Sequence, residues 1–120
     1  MYEYDVERFL KQYPFAWENN EEEVILHISD AFAHWNNQTV VLREKEVVML
    51  SEEEAGALKG KGVHVNINAL STALFGYKRP LELSQIGTIS GMERDIKQFE
   101  NLIPSGPPFF MISFNYFEWI

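Results

Sequence analysis

Cysteine is absent from this chain of 120 residues. Its absence excludes disulfides, thiolate metal sites and a cysteine nucleophile, and it is compatible with a cytoplasmic location. Long apolar runs are also missing, since no stretch approaches the ~20 residues that a membrane span requires. The first ten residues, MYEYDVERFL, lack the basic and apolar regions of a signal peptide. We therefore expect a soluble, cytoplasmic protein.

Basic residues are few. The chain has 10 Lys and Arg against 18 Asp and Glu, which gives a formal net charge of −8. An acidic domain without a basic stripe repels phosphate backbones and anionic lipid headgroups. We therefore expect neither a nucleic acid nor a membrane among its partners.

Catalytic motifs are missing as well. The sequence contains no G-x-S-x-G elbow and no Ser-x-x-Lys pair, and the glycines of GALKGKG (56–62) lack the preceding strand and following helix of a phosphate loop. His27, His34 and His64 are not at recognised metal-ligand spacings, so we expect hydrogen-bonded structural roles for them and no metal site. The chain alone is not expected to be an enzyme.

The first half of the sequence predicts a short helix followed by strands. DVERFLKQYP (5–14) has apolar residues at helical spacing after a capping Asp5, and VILHIS (24–29) has the apolar content of a strand. The run TVVLREKEVVML (39–50) predicts a hairpin that turns at REKE. Ser51 and Glu54 then form a capping box for one short helical turn.

The second half predicts a strand and three helices. Alternation in VHVNIN (63–68) predicts a strand that ends at Asn68, which caps a helix ending near Gly76. Pro80 begins the next helix, and Ser90 with Glu93 forms a capping box for a third. The aromatic run FFMISFNYFEWI (109–120) predicts a closing strand. The order indicates an α+β fold, a mostly antiparallel sheet covered by helices.

Aromatic residues make up 14% of the chain. Several large apolar side chains could line a cavity between the sheet and the helices, because ligand pockets are mostly apolar. The same spacings are typical of a filled core, and this alternative stays open. The candidates are Phe32, Trp35, Leu70, Leu74, Phe75, Ile86 and Phe99.

Three stretches together resemble a known module. They are DVERFLKQYPF (5–15), ISDAFAHWNN (28–37) and VNINALSTALFGYKRPLELSQIG (65–87). In this order they resemble the C-terminal domain of enhanced-intracellular-survival-type acetyltransferases of the GNAT class, a domain with a sterol-carrier-protein-like fold. The resemblance extends over nearly all of residues 1–120 and implies a single domain, excised from the C-terminus of a longer acetyltransferase.

The resemblance also implies a function. Such acetyltransferases transfer acetyl from acetyl-CoA to an amine, and the acetyl-CoA site lies in an upstream domain, so this chain is expected to hold no cofactor itself. Its expected partners are the upstream acetyltransferase domains, and a homo-oligomer is a further expectation. The resemblance assigns proton handling to the terminal carboxylate, here that of Ile120, with Glu118 as a rival. A carboxylate within hydrogen-bond reach of an amine can act as a general base.

Two other functions fit the residues. The first is a free-standing carrier of a lipid or another apolar small molecule, in keeping with the implied fold and the aromatic content. The second is a non-catalytic oligomerisation module, in which the closing aromatic strand pairs edge to edge with another chain. We rank the acetyltransferase accessory domain first.

Overall fold

The computed structural model describes residues 5–104. Its centre is a five-stranded sheet in the order β3-β2-β1-β4-β5. Neighbouring strands are antiparallel except β1 and β4, which run parallel. The predicted α+β class with a mostly antiparallel sheet is thus confirmed. The strands are β1 (Val24–Ser29), β2 (Gln38–Arg43), β3 (Glu46–Met49), β4 (Val63–Asn66) and β5 (Ile89–Ser90).

Five α-helices accompany the sheet in the described part of the chain. Two single 3₁₀ turns, Trp17–Asn19 and His34–Asn36, lie in the connections. None of the helices in residues 5–104 has the length and apolar content needed to cross a bilayer. The helices are α1 (Val6–Gln12), α2 (Glu52–Ala57), α3 (Ile67–Leu74), α4 (Pro80–Gln85) and α5 (Glu93–Leu102).

The core lies between one face of the sheet and the helices. Val24, Leu26 and Ile28 of β1 alternate toward this face and are buried, whereas Ile25 and His27 point to the other face and are half-buried. Each large aliphatic side chain that is fully buried contributes about 1.5–3 kcal/mol of transfer free energy. The fully buried helical residues include Phe9, Leu10, Leu70, Leu74, Ile96 and Phe99.

Most predicted helix caps and turns are present. The Asp5 carboxylate accepts hydrogen bonds from the N–H groups of Glu7 (3.1 Å) and Arg8 (3.3 Å). Ser51 and Glu54 form the predicted capping box, and the backbone N–H of Ser51 and its hydroxyl, both donating to the Glu54 carboxylate, hold the pKa of that exposed group below its usual value. These predictions are confirmed.

The predicted hairpin is confirmed as well. β2 and β3 are joined by Glu44 and Lys45, whose φ angles are 48° and 65°. Two successive residues at positive φ give the turn geometry that matches the right-handed twist of a two-residue hairpin. The register that follows pairs Arg43 with Glu46 and Val41 with Val48.

Two predicted helix starts are wrong. Helix α3 begins at Ile67 and is capped by Asn66, whose side chain accepts from the N–H of Ala69 (2.8 Å), so Asn68 already lies inside the helix. The strand ends there because its pairing with β1 ends at the Ser29–Asn66 pair. Ser90 does not cap α5 either, because it belongs to β5, and Met92 occupies the cap position.

Candidate functional site

The connection between β1 and β2, residues 30–37, presents two large aromatic side chains to solvent. We call this segment the Asp30 turn. The exposed fraction of the residue is 91% for Phe32 and 56% for Trp35. Loops often carry binding residues, and an exposed aromatic side chain on a backbone that is held in place is a candidate for contact with a partner or ligand.

The backbone of the Asp30 turn is held by the buried carboxylate of Asp30. Its Oδ1 accepts hydrogen bonds from the N–H groups of Phe32 (2.9 Å) and Ala33 (3.1 Å), and its Oδ2 accepts one from the side-chain amide of Asn36 (3.0 Å). Burial by itself would raise the pKa of Asp30, but these three donors together lower it below its usual value. The carboxylate is therefore ionised at neutral pH and fixes the turn.

Two asparagines attach the turn to the rest of the fold. Asn36 is fully buried, and its Oδ1 accepts from the N–H of Val6 at the start of α1 (3.0 Å). Asn37 bonds both backbone groups of Asp30, accepting from its N–H (2.9 Å) and donating to its carbonyl (3.2 Å). These bonds fix the backbone of the turn, so covering Phe32 would cost little backbone entropy.

A cavity of about 300 Å³ lies beside Phe32. It is open to solvent at the end of the sheet where the parallel strands β1 and β4 both terminate, at Ser29 and Asn66. In open α/β sheets, ligands bind outside the carboxyl ends of the parallel strands, and this cavity has the corresponding position beside the parallel pair β1 and β4. Its lining includes the apolar residues Phe32 and Ile67 and three asparagines, Asn37, Asn66 and Asn68.

The seven predicted cavity residues occupy three environments. Leu70, Leu74 and Phe99 are fully buried in the core, and Phe75 is half-buried, with its ring 5.5 Å from that of Phe9. Phe32, Trp35 and Ile86 are exposed, the last at 64%. Of the seven, Phe32 lines the cavity at the end of β1 and β4. The sequence of a turn does not indicate whether an apolar residue in it is buried or exposed.

Two of the histidines form a stacked pair on the other face of the sheet. The rings of His27 and His64 are 4.4 Å apart because β1 and β4 place them side by side. His27 Nε2 lies 2.7 Å from the carbonyl of Lys61, and His64 Nε2 lies 3.2 Å from that of Lys59. The predicted hydrogen-bonded role is confirmed for both. Among residues 5–104 no group of three or more His, Asp or Glu side chains could hold a metal ion.

The end of α5 is held by Arg79, which precedes α4. Its guanidinium donates to the carbonyls of Glu100 (2.9 Å) and Ile103 (3.4 Å), and the N–H of Leu81 donates to the Glu100 carboxylate (3.0 Å). The guanidinium adds donors at the end of a helix, where carbonyls run out of intrahelical partners, and the bond from Leu81 connects the start of α4 to α5. The two predicted catalytic residues, Glu118 and Ile120, and the closing strand over 109–120 lie outside the described residues.

Comparison with protein families gives one match. The family described as "Sterol carrier protein domain" matches residues 6–111 of this chain. A comparison with curated proteins gave no match.

Several solved structures share the fold over 87% of this chain. They include Eis1 from Mycobacterium abscessus (17% identity, TM-score 0.70) and a GCN5-related N-acetyltransferase from Anabaena variabilis (16%, TM-score 0.68). A third, a conserved protein of unknown function from Enterococcus faecalis described as a probable N-acyltransferase, has 21% identity and a TM-score of 0.70. The chain spans 25%, 26% and 26% of the length of these structures, respectively.

Proposed function

This chain belongs to the sterol carrier protein domain family, and from that premise we propose that it is the accessory C-terminal domain of a GNAT-like acetyltransferase. The observation that carries the proposal is the fold shared with much longer proteins. Two of them are described as an N-acetyltransferase and a probable N-acyltransferase, and about three quarters of each lies outside the shared fold. In the proposed parent protein, cytoplasmic upstream domains bind acetyl-CoA and transfer the acetyl group to an amine.

The Asp30 turn is the proposed contact with those domains. Phe32 is the most exposed large apolar residue of the described chain, and the Asp30 and Asn36 side chains fix the backbone that carries it. An aromatic side chain on a fixed backbone can bury a large apolar area, which is typical of residues that dominate interface energies.

The first test of the proposal is the reading frame that contains the Met1 codon. We expect it to encode an acetyl-CoA-binding domain upstream of this chain. A stop codon in frame, with no such domain encoded before Met1, would contradict the proposal.

The docking role is tested in the full-length product with Phe32→Ser. Since Phe32 makes the proposed contact, the substitution should increase hydrogen exchange across the domain boundary at least tenfold. The matched control is Tyr77→Ser, because Tyr77 is also exposed (73%) but lies between α3 and α4. Equal effects of the two substitutions would contradict the assignment of the Asp30 turn.

We also propose that the terminal carboxylate of Ile120 takes a proton from the amine. Two changes in the full-length protein separate it from the rival Glu118: appending two glycines after Ile120 moves the carboxylate, and Glu118→Gln removes the side-chain acid. We expect the first change to lower kcat at least tenfold and to remove the acid limb of the pH–rate profile, with thermal unfolding unchanged. If only Glu118→Gln lowers kcat, Glu118 and not the Ile120 carboxylate accepts the proton. If both variants keep full activity, neither group accepts the proton, and the proposal is contradicted.

A second candidate function is transport or storage of an apolar small molecule. The family description and the cavity of about 300 Å³ beside Phe32 favour it, since ligand pockets begin near this size. Native mass spectrometry of the purified chain, with and without a fatty-acyl probe, tests it directly. Binding should weaken in Phe32→Ser and persist in Ile86→Ser, and absence of both co-purified lipid and probe binding would contradict this function.

A further inference from the structure

The outer edge of β3 lacks a partner strand in the described part of the chain. The sheet order places β3 and β5 at its two edges, and β5 has only two residues. Natural edge strands are usually protected by shortness, a charged side chain, a proline or a bulge. β3 is short, with four residues and one charge at Glu46, but Glu46–Met49 contain no proline and their register with β2 is continuous, so Val47, Val48 and Met49 form an uncharged edge.

The hairpin register identifies which backbone groups lie on that edge. Arg43 and Glu46 close a two-residue turn and form a hydrogen-bonded pair, so Val41 and Val48 form the next one. The bond from the N–H of Leu50 to the carbonyl of Thr39 (2.9 Å) continues the alternation. The N–H and C=O groups of Val47 and Met49 therefore point away from β2.

We propose that this edge binds a second copy of the same chain, with β3 paired antiparallel to β3 across a two-fold axis at Val48. In this register Val47 of each copy pairs with Met49 of the other. All outward N–H and C=O groups of both strands are then used, whereas registers centred on Val47 or Met49 leave some of them beyond the end of the strand. This inference goes beyond the proposed acetyltransferase role and does not depend on it.

The side chains at the edge suit this pairing. Val47 lies on the helix-covered face beside a cavity of about 450 Å³, whose lining includes Leu10 and Trp17, and Met49 of the second copy would come to lie next to it. Met49 is flexible enough to fill an irregular gap of this kind. On the other face, Val48 would meet Val48 of the second copy at the axis.

Charges at the ends of the strands are compatible with the register. Glu46 would lie opposite Leu50 of the second copy, so no like charges meet within the strands. Lys45 at the hairpin turn would lie opposite Ser51 of the second copy, beside the acidic start of its α2 at Glu52 and Glu53. Because each chain carries a net charge of −8, the copies also repel at long range, and added salt should strengthen the dimer.

Amide hydrogen exchange of the intact chain at several protein concentrations tests the proposal. The amides of Val47 and Met49 should become at least tenfold more protected as concentration rises, whereas that of Val48, already bonded to β2, should not depend on concentration. Protection of Val47 and Met49 at every concentration would mean that the chain covers its own edge. Lack of protection throughout would mean that the edge stays open, and either result overturns the proposal.

Sedimentation equilibrium of variants provides a second test. Val48→Glu places two carboxylates at the axis, and Met49→Pro removes an outward N–H, so each should raise the dimer Kd at least tenfold. Ser90→Glu is the charge-matched control, because Ser90 is exposed on the same sheet face at the opposite edge. Circular dichroism identifies any variant that fails to fold. A dimer unaffected by both β3 substitutions, or a wild-type chain that remains monomeric, refutes the proposal.

Discussion

Replacing Asn36 with alanine should destabilise the fold by about 3 kcal/mol, although Asn36 lies in a connection between strands. The substitution removes the bond from the Val6 N–H to Asn36 Oδ1, worth about 1 kcal/mol, and the bond from Asn36 Nδ2 to the Asp30 carboxylate, worth about 2 kcal/mol because its acceptor is charged. These partners fix the orientation of the Asn36 side-chain amide, because the Val6 N–H must face the amide oxygen and the Asp30 carboxylate must face the amide NH₂.

Urea denaturation followed by tryptophan fluorescence measures this effect. A loss of about 3 kcal/mol lowers the folding equilibrium constant about 150-fold and, for a domain of this size, lowers Tm by more than about 10 °C. The control is Asn101→Ala, because Asn101 is exposed in the last turn of α5, and it should change stability by less than about 0.5 kcal/mol. A loss below about 1 kcal/mol for Asn36→Ala would refute the idea that this network fixes the turn.

The Asn36→Asp variant and the pH dependence of unfolding examine the same network. The native pKa of Asp30 is depressed, so its contribution to stability is present above the unfolded-state pKa and is lost as pH falls through the native one. Asp30→Asn should therefore flatten the acid limb of the stability profile below about pH 4. Asn36→Asp sets two carboxylates together and should be most destabilising at neutral pH, with partial recovery in acid. Equal destabilisation at both pH values would contradict the electrostatic account.

Two further predictions concern the core and one glycine. Burial raises the pKa of Tyr13 far above its usual value, with Arg79 opposing part of the shift, so the unfolded chain loses this proton first and stability should fall as pH rises above about 10. Tyr13→Phe should remove that alkaline slope in urea titrations, and an unchanged slope would assign it to other groups. Gly62→Ala should cost more than about 3 kcal/mol, because φ is +87° and a Cβ would lie 2.5 Å from the carbonyl oxygen of Ile25. Gly76→Ala, at φ +82° with open space around it, should cost about 1 kcal/mol in the same thermal melts, and equal losses would contradict the steric argument.

The sequence was sufficient to predict caps and turns that depend only on neighbouring residues. The Asp5 cap, the Ser51–Glu54 capping box and the turn at Glu44 and Lys45 each involve residues a few positions apart, and each is present. The two wrong helix starts have a different origin. Asn66 and Ser90 belong to β4 and β5, which end where their partners from distant parts of the chain end.

In the candidate site, too, features set by neighbouring residues could be predicted and features set by distant residues could not. Asp30, Asn36 and Asn37 are residues that favour turns, so a surface connection at this point could be predicted. That Asn36 would be fully buried against the start of α1 could not, because its partner Val6 lies 30 positions away. The stacking of His27 on His64 likewise depends on the parallel pairing of β1 with β4, for which neither histidine carries a local signal.

The parallel pairing of β1 with β4 also has a consequence for the order of folding. Strands β1, β2 and β3 are consecutive and antiparallel, so their contacts need only short loops to close. His27 and His64 are partners across 37 positions, and joining them requires a much larger loop whose entropy is lost before its contacts form. We therefore expect the three-stranded meander to assemble first. Until β4 docks, the inner edge of β1 is exposed, and the chain is then at greatest risk of pairing with the wrong strand.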